Sequence, residues 1–212
     1  MTRPHRAFPA WTIAAAALLL TLLAACSRTP APTLPPLGQD AVILAFGDSL
    51  THGTGAGGNA SYPALLAELA GRRVINAGVP GELSADGRRR LPALLDRHRP
   101  DLLILCHGGN DLLRKLDPAQ TADNLRAMID EARNRDIAVV LLAVPNPTLL
   151  ALKPATFYAD VANRAQVPIE ERVLTDVLSR DAFKADPIHP NAEGYRRIAE
   201  SVHQLLVQAG AI

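Results

Sequence analysis

The sequence is poor in cysteine, and it has almost no excess of charge. Its two cysteines are Cys26 and Cys106. Because Cys26 follows a leader-like apolar run, only Cys106 would remain in a folded domain, and no internal disulfide is expected. Lysine and arginine number 22 and aspartate and glutamate 21, so no basic surplus indicates nucleic acid as a partner. The six histidines are scattered, without Cys-x-x-Cys or His-Glu-x-x-His spacing, and we therefore expect no metal site and no cofactor.

The first 25 residues are predicted to be an export signal and no part of the fold. Arg3 and Arg6 stand before an apolar run that extends from residue 10 to residue 25 without an acidic side chain. At about 16 residues the run is short for a membrane-spanning helix of ~20, which makes an uncleaved anchor the less favoured alternative. Its end, Leu23-Ala24-Ala25-Cys26, resembles the lipobox of bacterial lipoproteins. That resemblance implies cleavage before Cys26 and acylation of this cysteine.

Residues 26–38 are predicted to be a lipidated, semi-extended tether, because they include four prolines and almost no charge. Such a tether would hold a folded domain away from a bilayer. Ser27 follows the cysteine, and by the sorting pattern of lipoproteins this implies the outer membrane. We therefore expect an exported protein, lipid-anchored at the periplasmic face of the bacterial outer membrane. Residues 39–212 have the length of one ordinary domain.

Beyond the tether, short apolar runs alternate with segments of helical periodicity. Strands are predicted at residues 42–46, 74–76, 102–106, 138–144 and 167–169. Helices are predicted at about residues 61–69, 84–98, 117–135, 174–178 and 192–208. Residues 51–60 and the proline-punctuated stretch from Pro145 are expected to be loops. The alternation predicts the α/β fold class, a three-layer α/β/α sandwich whose parallel strands are joined by right-handed crossovers.

Ser49 is the candidate nucleophile, because it closely follows the first predicted strand. Gly47 allows a turn there. Asp48, Ser49 and Thr51 are residue types that cap helices, so Ser49 is expected at or near a helix N-terminus. The carboxyl end of a central strand is also where open α/β sheets bind their ligands. For an isolated Gly-Asp-Ser, a plain helix cap is the commoner explanation.

His189 is the preferred general base among the six histidines. Asp186 stands three residues before it in a proline-bounded loop, a spacing that lets the carboxylate reach back to the Nδ1 atom of the imidazole. Such a bond would fix the tautomer and leave Nε2 free to take a proton from Ser49. His52 and His107 have no comparable local orienter. A surface-loop histidine remains the alternative explanation for His189 by itself.

Two further turns offer hydrogen-bond donors for the negative oxygen that forms when a serine attacks an acyl carbon. Gly78 has a backbone N–H at the end of the second strand and no side chain to block approach, whereas Pro80 has no N–H. Asn110 offers a side-chain amide after the third strand. Taken singly, Gly-Val-Pro-Gly and Gly-Gly-Asn-Asp are ordinary turn sequences.

Together, four segments resemble the signature blocks of the SGNH hydrolases, also called GDSL esterases. They read Gly47-Asp48-Ser49-Leu50, Asn76-Ala77-Gly78, Gly108-Gly109-Asn110-Asp111 and Asp186-Pro187-Ile188-His189-Pro190-Asn191. They occur in the family's order, and the resemblance covers about residues 42–207. Within the family, the sequence resembles the branch of periplasmic arylesterases, acyl-thioesterases and lysophospholipases, also over Leu91–Leu95.

The resemblance implies a flavodoxin-like fold with a five-stranded parallel sheet. It also implies Ser49 as nucleophile, His189 as base and Asp186 as the orienter of that base. The oxyanion hole would consist of the N–H groups of Ser49 and Gly78 and the side chain of Asn110. The expected reaction is hydrolysis of a small or fatty acyl ester or thioester through an acyl-enzyme, without a cofactor.

One stretch departs from the family pattern, and the role of a second stretch is not decided by the sequence. Residues 80–83 read Pro-Gly-Glu-Leu, where many relatives carry a small polar residue and then Asp-Thr. This leaves the path of the chain after Gly78 undetermined. The three leucines within residues 112–116 are consistent with an apolar acyl pocket and equally with plain packing.

The same residues bear on other functions. An α/β-hydrolase elbow is excluded, because Thr51 stands where Gly-x-Ser-x-Gly requires glycine. A cysteine hydrolase is weakly supported, because Cys106 closes an apolar strand and such a cysteine is usually buried. Two alternatives stay open: a carbohydrate O-acetylesterase acting on envelope glycan, and a non-catalytic lipoprotein that binds an apolar or phosphate-bearing ligand on the glycine turns.

Overall fold

The structure is a computed structural model, and it describes residues 31–57, 59–147 and 152–212. The predicted export signal, Cys26 and the first part of the predicted tether lie outside the described residues. Within these three ranges, no helix is both long enough and apolar enough to cross a membrane.

Five parallel strands form the central sheet. The strands of the described residues are β1 (Val42–Gly47), β2 (Arg73–Gly78), β3 (Leu102–Cys106), β4 (Ala138–Leu142), β5 (Pro145–Pro147), β6 (Leu152–Pro154) and β7 (Ile169–Glu170). The sheet has the order β2-β1-β3-β4-β7, and β5 and β6 form a separate antiparallel pair. Because this is the strand order of flavodoxin-like doubly wound sheets, the predicted fold class is confirmed.

Helices cover the sheet. Those of the described residues are α1 (Ser49–His52), α2 (Tyr62–Ala70), α3 (Ser84–His98), α4 (Gly109–Leu113), α5 (Pro118–Arg133), α6 (Phe157–Ala165), α7 (Val173–Leu178) and α8 (Ala192–Gln208). Helix α2 packs against α8, while α3 packs against α5 and α5 against α6. The connections from β1 to β2 and from β2 to β3 cross the sheet in opposite directions, so right-handed crossovers place α2 and α3 on opposite faces.

The middle strands β1 and β3 are buried on both faces, which explains their unbroken apolar sequences. Residues 43–46 and all of β3 are 0% exposed. Gly47 pairs in register with Gly78 on one side and with Cys106 on the other, so the three strands end at the same level. A Cβ atom at Gly47 would lie 2.0 Å from the carbonyl oxygen of Cys106. Only glycine therefore lets the chain turn where β1 ends.

The stretch from Pro145 is more regular than predicted. Its prolines indicated a loop, but β5 and β6 pair with each other in a two-stranded ribbon, where proline is tolerated at positions that donate no ladder hydrogen bond. Helix α6 was also not predicted. Tyr158, Val161 and Ala162 are buried there at i, i+3 and i+4, a helical signal that the neighbouring prolines obscured.

The end of the predicted tether belongs to the folded domain. Leu37 is only 8% exposed and lies in the hydrophobic core, and Leu34 packs against that core. The N–H groups of Leu34 and Leu37 donate to the carbonyl oxygens of Ala209 and Ala211, each at 2.8 Å. The predicted domain boundary at residue 39 therefore moves back, and any free tether ends before Leu34.

Candidate active site

Ser49 is the first residue of the short helix α1, just after β1. Asp48 caps this helix, and its Oδ1 accepts the N–H of Leu50 at 3.0 Å. The carbonyl oxygen of Ser49 accepts the N–H groups of Gly53 and Thr54, both at 3.1 Å. These bonds fix the main chain on both sides of the serine. As the first residue of the helix, Ser49 also has an N–H without an acceptor inside that helix.

His189 links Ser49 to Asp186. Its Nε2 lies 3.0 Å from the Ser49 Oγ, and its Nδ1 lies 2.7 Å from the Asp186 Oδ2. Because an ionised carboxylate only accepts hydrogen bonds, Nδ1 carries the proton and Nε2 is left as the acceptor for the serine hydroxyl. The structure thus brings together the three residues that the sequence singled out for proton transfer.

The loop that carries Asp186 is folded so that its carboxylate meets the imidazole. Oδ1 of Asp186 accepts the N–H groups of Ile188 and His189, each at 2.9 Å. Burial would raise the pKa of Asp186, but the hydrogen bonds from the His189 ring and from the two N–H groups outweigh it and lower this pKa. Asp186 is therefore ionised at neutral pH and able to accept the Nδ1 proton.

Asn110, in helix α4 after β3, lines the same cavity as Ser49 and His189. Its Nδ2 donates to the carbonyl oxygen of Glu82 at 3.1 Å and to the Oδ2 of Asp48 at 3.4 Å. The side-chain amide therefore lies at the site, as expected, and both of its hydrogens face protein acceptors.

Asp48 is a buried carboxylate that sequence reasoning treated only as a capping residue. It is 1% exposed. Burial raises its pKa, and the opposing influences, the neighbouring imidazole of His107 first and then the N–H groups of Leu50 and Gly109, only partly offset this. A buried acid between the nucleophile and Asn110 could not be foreseen from its position in Gly-Asp-Ser.

Gly78 does not provide the donor that was predicted. Its N–H donates to the Oδ1 of Asn76 at 3.0 Å and is therefore already engaged. A Cβ atom at this position would lie 2.1 Å from the backbone nitrogen of His52. Glycine is therefore required here for the close packing of α1 against β2, and its prediction as an oxyanion donor is corrected.

The chain after Gly78 forms a tight turn from Val79 to Glu82. The N–H of Glu82 donates to the carbonyl oxygen of Val79 at 3.2 Å, with Gly81 at a φ of +78° and Pro80 before it. Proline followed by glycine with positive φ defines a type II turn. The N–H of Gly81 donates to no acceptor among the described residues, and the turn ends at the residue whose carbonyl Asn110 binds.

The cavity beside Ser49 is mainly apolar and measures about 90 Å³. Its apolar wall consists of Leu50, Leu113, Val144, Leu152, Leu178 and Ile188. A small, mainly apolar cavity of this kind suits the hydrocarbon part of an acyl chain. Of the leucines that follow Asn110, Leu113 lines the cavity, as the pocket explanation predicts. Leu112 is buried in the core, as the packing explanation predicts.

The other candidate residues lie apart from this arrangement. Cys106 and His107 are 0% exposed, and burial raises the pKa of the Cys106 thiol well above its ordinary value. His52 is exposed, and its ring lies 3.5 Å from the hydroxyl of Thr54. In the three ranges that the structure describes, no group of three or more aspartate, glutamate, histidine or cysteine side chains could hold a metal ion.

A doubly wound sheet with a serine, a histidine and an aspartate in hydrogen-bonded sequence at its carboxyl edge, beside an apolar cavity, defines the class of serine hydrolases. Residues 45–197 match the GDSL-like Lipase/Acylhydrolase family, and the chain belongs to this family.

Known relatives agree with this assignment. The chain is 31% identical over 165 residues to Thioesterase 1/protease 1/lysophospholipase L1 of Escherichia coli (strain K12), covering 74% of this chain and 79% of the relative. It is 31% identical over 176 residues to the Arylesterase of Vibrio mimicus, covering 78% and 88%. Among solved structures it is similar to AlinE4, an SGNH-hydrolase family esterase, with a TM-score of 0.64 and 34% identity over 82% of this chain and 98% of that one. The predicted serine esterase is confirmed.

Proposed function

We propose that the protein hydrolyses esters and thioesters of short acyl chains through a covalent acyl intermediate on Ser49. The observation that carries the proposal is the continuous hydrogen-bonded series from the Ser49 Oγ to the His189 Nε2, 3.0 Å, and from the His189 Nδ1 to the Asp186 Oδ2, 2.7 Å. The names of the relatives, an arylesterase and a thioesterase that is also a lysophospholipase, support both oxygen and sulfur leaving groups.

In the proposed reaction, His189 takes the proton of Ser49 as Oγ attacks the acyl carbon, and Asp186 stabilises the imidazolium that forms. The imidazolium then gives its proton to the leaving oxygen or sulfur, and the acyl-serine remains. A water molecule, deprotonated by His189, attacks this ester and releases the acid. As the acid leaves, the imidazolium returns its proton to the Ser49 Oγ, so the acyl group is transferred twice, and His189 accepts and donates one proton in each half of the reaction.

The negative oxygen of the tetrahedral intermediate needs donors that are in place before the reaction. We assign the N–H of Ser49 and the side-chain amide of Asn110 to this role. Gly81 replaces Gly78 as the further backbone donor, because its N–H donates to no described acceptor and its turn ends at Glu82, whose carbonyl binds Asn110.

The apolar wall of the cavity supports short acyl chains as the preferred acid component. Across nitrophenyl esters, we expect butyrate to be turned over faster than laurate, because the apolar side chains of the wall can cover a butyryl chain but would leave the end of a twelve-carbon chain in solvent. Acetylated glycan, the alternative substrate, offers too little apolar surface to use this wall. Faster deacetylation of envelope glycan than hydrolysis of butyrate would favour the O-acetylesterase instead.

The test of the proposed mechanism is Ser49→Ala with a fluorophosphonate probe as a second readout. We expect loss of nitrophenyl butyrate hydrolysis by about 10⁵-fold or more, because removing the nucleophile disables the whole triad. The wild-type protein should be labelled covalently at Ser49 and the variant should not, while both unfold at similar temperature. Retained turnover in a folded Ser49→Ala variant would exclude this serine, and absence of labelling in the wild type would favour a non-catalytic binding protein.

We also propose that the protein is exported and anchored by lipid on Cys26, at the periplasmic face of the outer membrane. The support is sequence alone: the short apolar run and Leu23-Ala24-Ala25-Cys26. Cells fed an alkyne-labelled fatty acid should incorporate it into the wild type and not into Cys26→Ser, and the variant should leave the membrane fraction. Equal incorporation in both would exclude Cys26 as the acceptor.

A further inference from the structure

A buried ionic cluster adjoins Asn110 and has no part in the proposed proton transfer. Arg90 of α3 holds the carboxylate of Glu82 with two hydrogen bonds, from Nε at 2.8 Å and from Nη2 at 2.6 Å. The Nε2 of His107 lies 3.1 Å from the same carboxylate. The side chain of Glu82 is 8% exposed and that of His107 is 0% exposed. A buried ion pair by itself adds little net stability, which favours a positioning role for this carboxylate.

Asn110 is held by the main chain of Glu82. Of its two amide hydrogens, one is donated to the Glu82 carbonyl at 3.1 Å, and the other faces the Asp48 carboxylate across a longer 3.4 Å. The shorter bond fixes the plane of the amide. The more weakly held hydrogen is the one that an oxyanion could accept in place of Asp48.

The cluster fixes the position of that carbonyl through the side chain of the same residue. The Nδ1 of His107 accepts the N–H of Gly108 at 3.0 Å, so Nε2 carries the hydrogen that Glu82 accepts. Arg90 is itself held, by a bond to the Ala77 carbonyl at 3.0 Å and by the ring of Phe46, 4.3 Å from its guanidinium carbon. Glu82 is therefore held from two sides. Arg90 holds it from helix α3, and His107 holds it from the end of β3, shortly before Asn110.

Gly87 provides the space for this arrangement. A Cβ atom at residue 87 would lie 2.3 Å from the Nε2 of His107, so any side chain there would displace the imidazole. The backbone at Gly87 is ordinary α-helix and would accept alanine, which favours helices by about 1 kcal/mol over glycine. The glycine thus lowers helix stability but admits the imidazole.

We infer that Glu82 is a positioning residue for the oxyanion donor Asn110, held in place by Arg90 and His107. The inference rests on the proposed function, because it takes Asn110 as the donor. A carboxylate is required at residue 82, since both partners are donors and an amide of the same shape has only one accepting atom. Misplacing the Asn110 amide would weaken binding of the transition state and leave binding of the substrate nearly unchanged.

The first experiment combines Glu82→Gln with Asn110→Ala and measures hydrolysis of nitrophenyl butyrate. We expect Glu82→Gln alone to lower kcat by roughly ten- to a hundredfold with KM within about twofold, the cost of misplacing a catalytic group by about 1 Å. In the Asn110→Ala background the same change should lower kcat by less than about twofold, because the donor it positions is gone. An equal loss in both backgrounds, or no loss in the wild-type background, would overturn the inference.

The second experiment reaches the cluster without changing a charge. Gly87→Ala should lower kcat severalfold with KM little changed, and it should lower the melting temperature modestly, because displacing the buried His107 outweighs the preference of α3 for alanine. Arg89→Gln is the control on the same helix, since Arg89 is exposed and contacts Asp86 and the Ala85 carbonyl within that helix. Full activity in a folded Gly87→Ala variant would contradict the inference. This test remains valid even if the Glu82→Gln variant fails to fold. Failure of the proposed function looks different: Ser49 would then not be labelled by the fluorophosphonate, whatever residue 82 is.

Discussion

The two halves of the candidate site are built in opposite ways. The proton-transfer half, Asp186 and His189, lies on one loop, and the Asp186 side chain is 42% exposed. The charge-stabilising half, Asn110 with Glu82 and Asp48, comes from three distant turns, and its two carboxylates are buried. A base can thus be oriented by a neighbour three residues away that is in contact with water. A donor for developing charge depends here on contacts that only the folded sheet brings together.

The largest expected effect disables the proton-transfer half. In Asp186→Asn, the amide can donate to His189 and so favour the wrong imidazole tautomer, which should lower kcat for nitrophenyl butyrate by about 10³- to 10⁴-fold. Asp181→Asn is the control, because Asp181 lies in the preceding turn and pairs only with Lys184, at 2.8 Å. A loss of less than tenfold in a folded Asp186→Asn variant would show that this aspartate does not orient the base.

A smaller effect is expected from the charge-stabilising half. Asn110→Ala removes one donor and should lower kcat by about 10²- to 10³-fold, with little change in KM. Asn134→Ala, at the exposed end of α5, is the matched control. If Asn110→Ala kept more than a third of the wild-type kcat, the residue would be only part of a turn, and the two halves would no longer be comparable.

The smallest expected effect concerns stability. The two halves of the site should differ in how their contribution to the free energy of unfolding changes with pH. Burial would raise the pKa of Glu82, but the hydrogen bonds from His107 and Arg90 and the charge of Arg90 lower it to about 2. Since this pKa lies below its ordinary value of 4.5, the ionised carboxylate stabilises the fold above about pH 4.5, and this contribution is lost as the pH falls toward 2.

Urea unfolding between pH 2.5 and pH 6 measures this contribution. The difference in unfolding free energy between the wild type and Glu82→Gln should shrink as the pH falls, because the wild-type carboxylate becomes protonated. For Asp186→Asn the change should be smaller, since Asp186 is partly exposed and its charge interactions are screened by water. A difference between the wild type and Glu82→Gln that stays constant with pH would mean that Glu82 is not a buried ion held by Arg90 and His107.

Much of the framework could be predicted because it depends on local patterns. Helix α3 and strand β3 have the predicted bounds, and α8 begins after the capping residue Asn191 as expected. The Asp186–His189 pair could also be predicted, because a spacing of three residues in a short loop lets the carboxylate reach the imidazole. The ribbon β5–β6 and helix α6 were missed, since proline marks a break in regular structure but does not specify the element that comes after it.

The amino-acid sequence by itself determined the alternation of strands and helices, the turn that exposes Ser49 and the loop that pairs Asp186 with His189. Each depends on periodicity or on residues a few positions apart. Only the tertiary structure decided that the N–H of Gly78 is engaged by Asn76 and that Asn110 rests on a carbonyl 28 residues away. It also decided which leucines line the cavity. Such contacts depend on strand register and on close approach between elements, and residue spacing along the chain does not specify either.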